Sequence, residues 1–107
     1  MGIHVLAVYV PKDDRADALA AEIVGHVPLL RRLGLATERP STVWRAPDGT
    51  MIEHFEWVDR AAIDAAHRHP EVLAMWARYD DCCTYGTLAG LPNAAAPFPE
   101  FEFVGSY

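Results

Sequence analysis

The sequence predicts one α+β domain of element order βαββαβ, and three observations carry that expectation. The first is a run of branched and apolar residues, Ile3 to Val10, that ends at a proline. The second is the helical recurrence of Leu19, Ile23, Val27 and Leu30 directly after it. The third is the tripeptide Pro47-Asp48-Gly49 between two strand-like runs. Proline presets φ and glycine accepts a positive φ, which makes a hairpin turn.

The first strand splits into Ile3, Val5, Ala7, Tyr9 on one face and His4, Leu6, Val8, Val10 on the other. Both faces are largely apolar, whereas a strand covered on one side alternates with polar residues. Helices can cover one face, and a second copy of the chain is the economical cover for the other. Asp13 or Asp14 is expected to cap the first helix. Gly25 and Pro28 fall inside it, and Pro28 removes one backbone donor and crowds the carbonyl four residues back. A kink or restart is therefore expected near Gly25 to Val27. Arg31 and Arg32 suit the C-terminal end, and Gly34 suits the residue just past it.

Thr42 to Ala46 and Met51 to Val58 are expected to form the hairpin strands. Asp59 caps the next helix, which His69-Pro70 breaks, because a residue before proline disfavours the α region. Pro70 then opens a new helical segment, with Val72, Met75, Trp76, Tyr79 and Cys83 along one face. Thr84 to Pro97 reads as a long connection with a short helical turn around Leu88, and Phe98 to Val104 as the closing strand. This order suits a ferredoxin-like βαββαβ sandwich over residues 1–107, with a bare sheet face that two copies would bury against each other in a homodimer.

Composition narrows the function classes. Hydrophobic residues make up 51% of 107, enough for one packed core and too many for a disordered chain. The net charge is −6 and no basic stripe exists, which argues against nucleic acid as a partner. The longest apolar run is strand-length, too short to cross a membrane, and the N-terminus lacks a secretory pattern, so a cytoplasmic chain is expected. Cys82 and Cys83 are adjacent, which disfavours a disulfide between them and fits small buried thiols on a helix.

The stretch His26-Val27-Pro28-Leu29-Leu30-Arg31-Arg32-Leu33-Gly34-Leu35 resembles the histidine–x–proline–leucine segment that ends the first helix of EthD-like proteins. Phe55 to Trp76 is also similar to uncharacterised bacterial members of the same superfamily, the dimeric α+β barrels. That group includes antibiotic-biosynthesis monooxygenase-like proteins. The resemblance implies a homodimer with a pocket between helices and sheet, and a small, often aromatic ligand. Several members work without metal or organic cofactor, so no cofactor is expected, although some bind haem through one histidine.

His26, three residues after Ile23, sits on or beside the buried helix face. Two readings fit it: a general base or acid near neutral pH, or a side chain that meets a carbonyl freed by Pro28. Glu53 shares a strand face with Phe55 and Trp57. It either orients a histidine in an apolar pocket or is solvated near a strand end. His67, four residues after Ile63, shares that helix's inward side and is a pocket candidate. His69 lies two residues on, so a shared metal is not expected, and no third ligand is suitably spaced. Trp57, Trp76 and Tyr79, with Trp44, either wall an aromatic-binding pocket or fill the core. His54 and Glu56 fall on the opposite strand face as candidate interface polar groups.

Overall fold

A computed structural model describes residues 2–107. The chain forms β1 (Ile3–Pro11), α1 (Ala16–Arg32), β2 (Thr42–Arg45), β3 (Met51–Trp57), α2 (Arg60–Ala66), α3 (Pro70–Cys82), β4 (Cys83–Tyr85) and β5 (Glu102–Gly105). The strands make one antiparallel sheet in the order β4-β1-β3-β2-β5. The first four strands in that order are compatible with a ferredoxin-like α+β fold. No helix among the described residues is long and apolar enough to cross a membrane.

Register decides what meets the helices. Tyr9 lies opposite Met51, Ala7 opposite Glu53, Val5 opposite Phe55 and Ile3 opposite Trp57. With a side-chain period of two, these eight residues share one face. That face packs on Leu19, Ile23, Val27 and Leu30 of α1 and on Val72, Met75 and Tyr79 of α3. The spacing of both helical sets is the one the sequence displays.

Local signals explain most element ends. Ala46 and Thr50 close the hairpin through a 2.8 Å backbone bond, Asp48 Oδ1 accepts from Thr50 N, and Gly49 takes φ +92°. At the end of α1, Gly34 adopts φ +75°, Gly34 N–H donates to Arg31 and Leu35 N–H to Leu30. This double bond is a Schellman cap, and buried Leu30 and Leu35 supply its usual apolar contact. Asp59 caps α2 by accepting from Ala62 N. His69 caps α3 at the break, its Nδ1 accepting from Glu71 N.

Four expectations need correction. First, the strand that pairs with the free side of β1 is β4, Cys83–Tyr85, so Cys83 belongs to a strand rather than a helix. The strand at Glu102–Gly105 is a fifth one, on the far edge beside β2. β4 has only three residues and follows α3 without a break, so it leaves no periodic signal. Gly86 ends it, where an added Cβ would stand 3.0 Å from Val8 and 3.2 Å from Val10.

Second, the chain covers part of its own outer sheet face. Leu91 and Phe101 pack with Val8, Ala46, Ile52 and Trp44. Leu6, Val10 and Phe103 stay 47%, 40% and 62% exposed. Third, neither Asp13 nor Asp14 caps α1. The cap position is Arg15, with no side-chain bond, because Asp14 turns the chain at φ 61°. Fourth, α1 does not restart: one continuous helix runs through Pro28. Val24, Gly25 and Pro28 all lie on its exposed side, where water can serve the carbonyl that the proline leaves without a donor.

Candidate active site

Glu53 stands in the middle of β3 on the helix-facing side and is 0% exposed. A carboxylate there is tolerable only if donors meet it. Two do, both at Oε1: the Tyr9 hydroxyl donates at 2.8 Å and His26 Nδ1 lies at 2.7 Å. Ala7, opposite Glu53, is small enough to let Tyr9 reach diagonally across the strand pair. Oε2 is buried without a partner among the described residues.

Since Oε1 accepts, Nδ1 carries the proton. In the neutral ring, Nε2 then holds the lone pair. Phe55 and Tyr79 stand edge-on to the imidazole at 5.1 and 5.4 Å and fix its plane. His26 is 4% exposed and lines a pocket from which Glu53 is absent, so the free nitrogen is the edge turned from the carboxylate. Burial first, then the charge of Glu53, pushes the Tyr9 hydroxyl well above its ordinary pKa, so it stays a donor. The same two causes push up the buried Tyr79 hydroxyl.

The pocket holds about 580 Å³. Trp57, Trp76 and Tyr79 supply aromatic wall. His67 lines it too, its Nδ1 donating to the Ile63 carbonyl at 2.8 Å and its ring edge-on to Trp76 at 5.0 Å. The structure therefore gathers His26, His67, Trp57, Trp76 and Tyr79 around one cavity. Glu53 backs His26 instead of facing the cavity. Trp44 is excluded because it lies on the outer sheet face. Tyr9 is the site residue that sequence reasoning missed. The signal was its place on the Glu53 face, one diagonal away beside a small alanine.

Other reactive side chains do not converge. His69 is committed to its cap, and no group of three metal-binding side chains forms among the described residues. Cys82 and Cys83 are free and buried, and burial pushes both thiols up, that of Cys83 to about 12. Such thiols are poor nucleophiles at neutral pH.

On the outer face, His4 and His54 stack with parallel rings, and His4 Nδ1 and His54 Nε2 are 2.9 Å apart. His4 Nε2 faces Glu56 at 3.1 Å, and Glu56 also accepts from Thr37 and Arg39. Partial burial first, then the neighbouring His4 and Arg39, lowers the pKa of His54 below its ordinary 6.5. The unfolded chain thus takes up a proton near pH 6.5 that the folded chain refuses, and stability falls as pH drops below that value. Melting curves at pH 7.5 and 5.5 should show this loss, and His54→Gln should make it smaller. An unchanged loss would mean that other groups carry it.

Comparison with protein-family models, with curated proteins and with solved structures finds no match for this chain.

Proposed function

We propose that the protein is an enzyme that moves a proton on a small apolar or aromatic compound, with His26 as the base and Glu53 as its positioning partner. One observation carries the reading. A buried carboxylate holds Nδ1–H of His26 at 2.7 Å, and the other ring nitrogen is left for an aromatic-walled pocket. A carboxylate so placed fixes the tautomer and stabilises the imidazolium once the proton is taken. Isomerisation, dehydration and oxygenation of an acidic substrate share that opening step. The reading uses protein side chains alone, with no metal or organic cofactor.

A general probe of such a base is 5-nitrobenzisoxazole. Removal of its ring C–H proton by Nε2 forms a nitrile as the N–O bond breaks, which gives a coloured cyanophenolate. The wild-type chain should accelerate this elimination and His26→Gln should not. Equal rates in the two would remove His26 as base. Binding of the probe without turnover would indicate a small-molecule-binding domain instead.

The reading also takes the chain as a homodimer of dimeric α+β barrel type, joined through the outer sheet face. Leu6, Val10 and Phe103 support this, as large apolar side chains exposed on or beside a sheet. Sedimentation at micromolar concentration should give about twice the 11.8 kDa chain mass. Leu6→Glu should shift it toward the monomer, and a monomeric wild type would sink the proposal.

A further inference from the structure

The pocket touches Val5, Leu6, Ala7, Val8 and Tyr9 in succession. Side chains along a strand alternate between faces: Val5, Ala7 and Tyr9 share the helix-facing wall with Phe55 and Trp57, and the cavity also reaches Leu6 and Val8 beside Tyr85 and Gly86, so it extends past the strand's edge. β3 occupies one edge of β1 throughout. The cavity therefore runs along the other edge, beyond the point where β4 ends.

The polar groups on that edge follow from the ladder. Val8 O accepts from Gly86 N, and Lys12 N donates to Cys82 O, so the even-numbered residues of this strand direct N–H and C=O toward the β4 side. β4 pairs only with Tyr9 to Pro11, and Gly86 then carries the chain over Val8 and Val10. Leu6 is thus left with its N–H and C=O on an unpaired edge, and it lines the pocket. An unpaired rung of this kind is a ready-made hydrogen-bonding template. No lysine or arginine lines the cavity, and its one carboxylate is the exposed Asp80.

We infer that the free backbone rung of Leu6 is the polar recognition element of this pocket, and that its ligand is an uncharged ring compound carrying an acceptor and a donor side by side, as in a lactam or a hydroxy-ketone. The N–H and C=O of one extended residue point the same way and answer such a pair with two bonds. Trp57 and Trp76 take the ring. An anionic ligand finds no cation here, and Asp80 opposes it. This names the ligand class for the site proposed above and rests on that pocket being the binding site.

Three probes of similar shape test the inference: 2-quinolinone, its N-methyl derivative, which lacks the donor, and 2-naphthoate, which is anionic. Quenching of tryptophan fluorescence should show 2-quinolinone binding at least about tenfold tighter than either of the others, the loss of one well-made hydrogen bond being worth about that much. In the ¹⁵N-labelled protein, the Leu6 amide should be among those that move most on adding 2-quinolinone. Leu6→Pro removes the edge donor, which meets the carbonyl that both quinolinones carry, without touching the bonds to β3; it should weaken both by about tenfold and leave their ratio, set by the Leu6 C=O, in place, whereas Leu6→Ala should leave both affinities unchanged. Equal affinity for the two quinolinones, tighter binding of the naphthoate, no binding of any probe, or a Leu6 amide that stays in place would overturn it. His26→Gln should retain the lactam preference. Loss of probe elimination with the preference intact would sink the catalytic reading alone, and the converse would sink this inference alone.

Discussion

Replacing Glu53 with alanine should lower the melting temperature by about 12–40 °C, because it costs on the order of 3–5 kcal/mol in a domain where each kcal/mol is worth roughly 4–8 °C. The carboxylate is 0% exposed, and its Oε1 accepts from both the Tyr9 hydroxyl and His26 Nδ1–H. The truncation strands both donors in a closed core, each at about 1–3 kcal/mol, and leaves a cavity where the side chain was. Glu53→Gln keeps an acceptor at the same place and keeps the volume, and it should recover most of the loss. Calorimetry or circular-dichroism melting of the two variants beside wild type checks this. If alanine and glutamine melt alike, the two hydrogen bonds do not hold the core together.

Much of this centre was legible before any coordinates. Leu19, Ile23, Val27 and Leu30 fix which side of α1 is buried, and His26 follows from them. The alternation of Met51, Glu53, Phe55 and Trp57 fixes the face of β3. The sequence could not say that these two faces meet with Glu53 opposite His26, because the meeting depends on register across β1 and β3. Solvation near a strand end was therefore as natural for Glu53 as the pairing it makes.

The connection after α3 was illegible for a different reason. β4 is three residues long and β5 four, and neither spans enough periods to show a pattern. The outer face shows the same limit. A two-sided apolar β1 requires a cover, but Leu91 and Phe101 reach it from a segment rich in proline and glycine that has no periodicity of its own.

The second large effect is kinetic. His26→Gln should reduce elimination of 5-nitrobenzisoxazole by about 10²–10⁴-fold, the usual contribution of a positioned general base. Glutamine can still donate to Glu53 Oε1, so the fold should survive and the loss should fall on the chemical step. Glu53→Gln should act on the same step by another route. It removes the charge that stabilises the imidazolium, and its amide can hold Nδ1–H only through Oε1. A smaller loss follows, with affinity for the probe little changed, since Glu53 does not line the pocket. The double variant should be no slower than His26→Gln alone, because a positioning residue has nothing left to position once the base is gone. If the two losses instead multiplied, Glu53 would act on the substrate independently of His26, and its place behind the imidazole would not be what matters.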